Sequence, residues 1–503
     1  MKEYYVMKLE YEVNDKPNFL KSSLLGFQNI LTAFSGIIAV PLSIAAIAGT
    51  NVAETSVLIS AALLASGICS FIQSKGIFKG NAKVGIGLPT IMGTDFGFVP
   101  PANAVINTMG GGLAGYFGAT IMGALLELVL SFFIKPLLKF FPEVVTGTVI
   151  TLIGITMMPV AFDWVGGGYG AENYGDPLFI GIAVFTFLLI IFINHYGRGF
   201  VTTASVFIAM IISYIICIPL NLVDFSQVAA APWIKIPELF PFGVKFDLKF
   251  VVPFIAGYLV TIIETVGVMK TLGTVCEVDL SDSDIASGVR ADAIGSMLSP
   301  VFGSGAAQTF SQNVGLIPLT KCASRKVALY SSLILIIMSF CPKFATLVSI
   351  MPTPILGGAG ILMFGTIIGS GMQALSKAKF STKNIMIIAG GIGVGIGITM
   401  KPDIVAKLPS LLSALFSSGI SGGTIVAVIL NILLVDKEYW IFLKIWIIVW
   451  DWILILHYFF EKIFLNHLLW YNVKRNSRLK GKLHEGFFDK TSLDWDRPWQ
   501  IWK

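Results

Sequence analysis

Apolar residues run along this chain in blocks of about 20, the length that crosses the hydrocarbon core of a bilayer as a helix. From Phe19 to Leu434 the blocks number about fourteen, which predicts an all-α polytopic membrane protein. Two blocks are broken in the same way. One break runs from Gly85 to Pro101, the other from Gly303 to Asn313. Each falls third in a run of about seven blocks, and corresponding interruptions of this kind mark a repeat. Each reads as a short β-strand followed by a short helix, over Pro101 to Met109 in the first and Gln312 to Thr320 in the second. Irregular backbone survives at membrane depth only where protein or a water-filled cavity surrounds it. The pattern therefore predicts two inverted seven-span repeats with a site between the breaks. Two half-helix N-termini would aim backbone N–H groups at one solute there.

The expected organisation follows from these blocks. Residues 1–18 form a cytoplasmic N-terminal segment, 19–220 the first repeat, 221–247 an extracellular connection and 248–435 the second repeat. In 436–503, Trp440, Trp446, Trp450, Trp452 and Trp470 sit among apolar residues with one narrow polar stripe. That pattern fits a helix lying in the cytoplasmic interface, followed by a polar tail.

Composition agrees with a bilayer as the solvent. Hydrophobic residues make up 55% of 503 residues and charged residues 13%. Basic residues alternate with the spans, as the positive-inside rule requires of cytoplasmic loops. Lys16 and Lys21 precede the first span, Lys75, Lys79 and Lys83 follow the second, and Lys135, Lys139 and Arg198 follow the fourth and sixth. Lys321, Arg325, Lys326, Lys377, Lys379 and Lys383 continue the series, with Lys235, Lys245, Lys249, Lys343, Lys401 and Lys407 as exceptions. The N-terminus is expected in the cytoplasm, and the charged, Tyr-rich stretch from Met1 to Pro17 does not read as a cleavable signal. The net charge of +6 needs no nucleic acid to explain it. Five cysteines without CxxC spacing and four scattered histidines predict neither disulfides nor a metal site.

Ionisable residues inside the spans are few, and each is costly unless paired, protonated or held by donors. Glu264 lies in the apolar run from Leu259 to Met269 and is the leading candidate for a solute-binding carboxylate. Asp292 is expected to support the second broken span or to pair locally with Arg290. Asp95 lies inside the first break, where it either caps the short helix or serves function. Glu127 reads as an interhelical contact, and His195 as an interfacial residue.

The segment Gln312-Asn313-Val314-Gly315-Leu316-Ile317-Pro318-Leu319-Thr320-Lys321 resembles the signature of the nucleobase–ascorbate transporter family, whose members include uracil, xanthine and uric acid permeases. The resemblance extends over about Phe19 to Leu434 and takes in Gln28-Asn29, Gly93 to Phe98, Glu264 to Gly267 and Arg290-Ala291-Asp292. It implies a fourteen-span fold divided into core and gate domains, usually a homodimer in the plasma membrane. It also implies Glu264 as the substrate-binding carboxylate and Gln312 as the amide typical of purine transporters, supported by Asn313. Backbone around Phe96, Gly97 and Ser311 would complete the pocket, and Asp292, Asp95, Thr94, Gln28 and Asn29 would serve coupling or support. The chemistry agrees, because a purine offers N–H donors and carbonyl acceptors in one plane and an amide can answer both. The chain departs from the family at Asn29, Val268 and Asp95, where many or some members carry His, Asp or His, and Ser respectively.

The implied function is secondary active import of a purine nucleobase, xanthine or uric acid, with a proton or sodium ion as the coupling ion and no other cofactor. A uracil permease of the same family is the nearest alternative, and Gln312 speaks against it. A sulfate- or bicarbonate-type anion transporter of the same architecture would lack the Gln-Asn signature. A membrane enzyme is disfavoured because no nucleophile or metal constellation is evident.

Overall fold

The computed structural model describes residues 9–434, apart from 79, 139–140 and 169. The aromatic helix and tail expected over 436–503 lie outside the described residues. Among the described residues, eight helices are long and apolar enough to cross a membrane. The count becomes nine if Arg325–Ser339 and Pro342–Ser349, bent by 84° at their junction, form one span. The first half comprises α1 (Phe19–Ala48), α2 (Val52–Lys75), β1 (Met92–Thr94), α3 (Val99–Asn103), α4 (Gly112–Ser131), α5 (Glu143–Val165), α6 (Pro177–Tyr196) and α7 (Ser205–Cys217). The second comprises α8 (Leu248–Val275), α9 (Asp282–Phe302), β2 (Ala307–Thr309), α10 (Leu316–Thr320), α11 (Arg325–Ser339), α12 (Thr353–Lys377), α13 (Thr382–Met400) and α14 (Gly419–Leu433).

The first two helices of each half begin alike. The Asn18 side chain caps α1 and that of Asp247 caps α8. A reciprocal capping box opens α2 through Asn51 and Glu54, and another opens α9 through Ser281 and Asp284. Each satisfies backbone donors that a helix start leaves without partners. Packing repeats with the same shift of seven. Helix α4 lies on α9 as α11 lies on α2, α1 on α11 as α8 on α4, and α5 on α13 as α12 on α6. The most extensive contact, α5 with α12, maps onto itself under that shift.

The two breaks meet. Strand β1 pairs antiparallel with β2, with Met92 opposite Thr309, Gly93 opposite Gln308 and Thr94 opposite Ala307. Both strands are fully buried, so their ladder satisfies backbone groups that water does not reach. Gly93 is required by close approach, since a Cβ there would stand 2.4 Å from the Phe310 ring. Gly303 ends α9 in the left-handed region at φ 92° and turns the chain into β2.

The short helices differ from expectation at their starts. The first begins at Val99 rather than Pro101, with prolines in its opening turn, and runs into a π-helical turn over Ala104–Thr108. The second begins at Leu316 rather than Gln312. Pro318 has no N–H to give and is best accommodated in a first turn, which fits the start of α10 just before it. Residues 311–315 are turns instead, and Asn313 bonds outward to the Asn29 carbonyl at 2.8 Å.

Candidate binding site

The strand pair is fixed from two sides. Helix α8 carries Thr261, Glu264 and Thr265 at i, i+3 and i+4, a spacing that puts them on one face. Thr261 donates to Asp95 Oδ2 at 3.0 Å, and Thr265 donates to Asp292 Oδ2 at 2.5 Å. Asp95 also accepts from the Gly97 amide at 2.8 Å, so it caps the turn after β1. Asp292 of α9 accepts from the Thr309 hydroxyl at 2.8 Å, the Thr309 amide at 3.2 Å and Gln73 Nε2 at 2.8 Å. Gln73 in turn accepts from the Ile86 amide through Oε1 at 2.9 Å. Aromatic packing holds the far end of β1, where Phe98 lies 4.6 Å from the Tyr258 ring and 5.6 Å from that of Phe254.

Beside this pair lies a cavity of about 460 Å³, within the range of about 300–1,000 Å³ usual for small-molecule sites. Glu264, Thr94, Asp95, Phe96, Ser311 and Gln312 all line it, together with Gln308, Phe310, Thr32 and Ser35. Its far wall comes from Ile153 of α5 and Met363, Thr366 and Ile367 of α12. It extends to Asn194, Thr202 and Thr203 at the turn between α6 and α7. Glu264 is half-buried, while Ser311 and Gln312 are exposed to the cavity. None of the ion pairs among the described residues includes Glu264, Asp95 or Asp292. The Phe96 ring meets Phe364 edge-on at 5.1 Å. The cavity thus offers a carboxylate acceptor, an amide that both donates and accepts, hydroxyls and aromatic faces. This set suits a small planar solute with several polar edges.

Other expected site residues stand behind it. Asp292 is completely buried and serves the scaffold, and its alternative pairing with Arg290 is not made. Arg290 instead donates to the Lys83 carbonyl at 2.9 Å and lies over the Phe132 ring. Asn313, Gln28 and Asn29 line a separate small space of about 20 Å³. Gly97 does not line the main cavity, and its amide is spent on Asp95. Glu127 of α4 is fully buried between helices, as its position suggests, and neither carboxylate oxygen has a hydrogen-bond partner among the described residues. Sequence reasoning did not single out Gln308, Gln73 or Thr309. An amide or hydroxyl inside a polar break carries no sign of which face it will occupy until the strand register is known.

Long apolar helices, a buried strand pair between two broken elements and a polar cavity beside it define a multi-pass membrane protein of the transporter class. The chain matches the permease family model Xan_ur_permease over residues 20–404 and belongs to that family of nucleobase–ascorbate transporters, which are permeases rather than enzymes. Protein CPE0397 of Clostridium perfringens is 46% identical over 431 residues, covering 86% of this chain and 94% of the relative. The uric acid transporter UacT of Escherichia coli is 36% identical, covering 82% of this chain and 86% of its own. The xanthine permease of Bacillus subtilis is 33% identical, covering 82% and 94%. The fold is similar to the transmembrane domain of the cyanobacterial bicarbonate transporter BicA, with a TM-score of 0.56 at 16% identity over 80% of this chain and 100% of that one. Murine Slc26a9, an anion transporter, gives a TM-score of 0.57 at 12% identity over 84% and 69%. The fold is thus similar to that of anion transporters, the type weighed above as an alternative of the same architecture.

Proposed function

We propose that this protein imports a purine nucleobase, xanthine or uric acid, across the plasma membrane by symport with a proton or a sodium ion. The observation that carries the reading is that Glu264 from α8 and Gln312 from the second break line one cavity with the Phe96 ring. A carboxylate accepts from ring N–H groups, and the amide answers an adjacent acceptor and donor. Relatives named for uric acid and xanthine transport over most of their length support the substrate class.

The fold reading is fourteen spans in two inverted seven-span repeats over 19–220 and 248–435. The shift of seven that relates the packing partners supports it. In this reading α1 to α4 and α8 to α11 form a core that holds the strand pair. Helices α5 to α7 and α12 to α14 form a gate that supplies the opposite wall. With the N-terminus in the cytoplasm, the turn between α6 and α7 faces inward, and the cavity is then open to the cell interior. Apolar side chains such as Phe185, Leu188 and Phe192 on α6 are exposed, which fits a lipid contact or the partner of a homodimer.

Uptake of labelled xanthine into cells expressing the protein tests the reading, with urate, uracil and guanine as competitors at two pH values and with or without sodium. Competition by urate, with none by uracil, is the expected result. Preferential competition by uracil would overturn the purine assignment, and uptake indifferent to both gradients would overturn symport.

A further inference from the structure

We propose that Gln308 is a further specificity-determining residue of this pocket, donating from its side-chain amide to a ring carbonyl oxygen of the bound base while Glu264 accepts from a neighbouring ring N–H. The proposal rests on the purine reading above and deepens it.

Gln308 is the middle residue of β2, opposite Gly93. Successive side chains of a strand point to opposite faces. Thr309 is turned to Asp292, with a hydroxyl bond of 2.8 Å, which leaves Gln308 directed the other way, and it lines the cavity. Its backbone is committed to the strand ladder, so only the side chain is available to a ligand. That side chain is 4% exposed, and its Nε2 is buried without an acceptor at full hydrogen-bond geometry among the described residues. The amide nitrogen carries two hydrogens, so it can lean on Glu264 with one and offer the other to an acceptor arriving in the cavity. The amide lies beside the Glu264 carboxylate. A donor next to an acceptor complements an adjacent C=O and N–H, the lactam edge that every oxopurine carries. Gln312 stands elsewhere on the wall, after the strand has ended, and can address a different edge of the same plane.

The alternative role is positioning alone, with Gln308 orienting Glu264 and touching no ligand. The two differ in what they do to a ligand series. Binding to purified protein is measured for xanthine and for analogues in which each carbonyl oxygen in turn is replaced by sulfur, a poor acceptor. Wild type and Gln308→Met, which nearly conserves volume, are compared. The expected result is a loss of xanthine affinity of about 5- to 150-fold in Gln308→Met. One sulfur analogue should bind wild type weakly but lose nothing further in the variant, because the two changes remove the same hydrogen bond. Equal further losses for every analogue would overturn the contact and leave positioning of Glu264, and unchanged xanthine binding would overturn both roles. If Gln308→Met does not accumulate in the membrane, Gln308→Leu gives the same comparison, since it removes the donor without placing a second carboxyl group beside Glu264. Failure of wild type to bind any oxopurine overturns the functional reading itself, an outcome distinct from wild-type binding with an indifferent Gln308.

Discussion

Thr309 gives Asp292 two hydrogen bonds, one from its hydroxyl at 2.8 Å and one from its amide at 3.2 Å, so a helix carboxylate holds the end of a strand. Thr265 and Gln73 supply further donors to the same carboxylate. Asp292→Asn turns an N–H group toward donors and leaves at least one of them unmatched. At about 1–3 kcal/mol for a buried polar group without a partner, the variant is expected to melt at a lower temperature and to bind ligand more weakly through β2. An unchanged melting temperature would count against the clamp.

Glu264 is the side chain on which transport should depend most. Glu264→Gln keeps the shape and loses the charge that accepts from ring N–H groups. It is expected to abolish uptake while leaving normal amounts of protein in the membrane. Glu264→Asp should keep partial activity at best, because the oxygens retreat by more than a hydrogen bond tolerates. Wild-type substrate affinity in purified Glu264→Gln would remove this carboxylate from the binding site.

Gln312 can both donate and accept, whereas an ionised Glu only accepts. Gln312→Glu is therefore expected to weaken xanthine and urate binding about 5- to 150-fold and to shift preference toward other bases. Uptake assays with the competitor set above report the shift, and unaltered xanthine and urate uptake would exclude Gln312 as a ligand.

Glu127 is a carboxylate buried between helices without hydrogen-bond partners among the described residues. Replacing such a group with an apolar side chain of similar size relieves a desolvation penalty. Glu127→Met is expected to stabilise the purified protein by about 1–3 kcal/mol, read as a higher melting temperature. A lower one would show that the carboxylate is held by something other than protein side chains.

The hydrophobic blocks and the two polar breaks were legible in the sequence because a bilayer imposes a length and forbids unsatisfied backbone. Glu264 and Gln312 stood out for the same reason, as polar groups in places where polarity is expensive. The exact start of α10 was less accessible, since Gln312 to Gly315 is compatible with helix and only Pro318 restricts the first turn. The division between cavity residues and scaffold residues was legible only in part: Asp292 was expected to support the second break or to pair with Arg290, and it accepts from Thr309 of that break. Asn313 and Asp292 belong to the same motifs as the cavity lining, yet they face Asn29 and Thr309. Gln308 and Thr309 are neighbours whose side chains part company only when β2 takes its register against β1.

That register has a consequence for how the protein is made. The ribosome delivers β1 long before β2, and every residue of the first half emerges while the strand's partner has yet to be synthesised. A break that cannot satisfy its backbone is poorly suited to hydrocarbon, so the nascent first half must wait with its third element unfinished. Pairing so distant in sequence is slow to form and exposed to misassembly. The first half expressed alone should therefore hold its long helices but no pocket, because the site cannot assemble until β2 has been made.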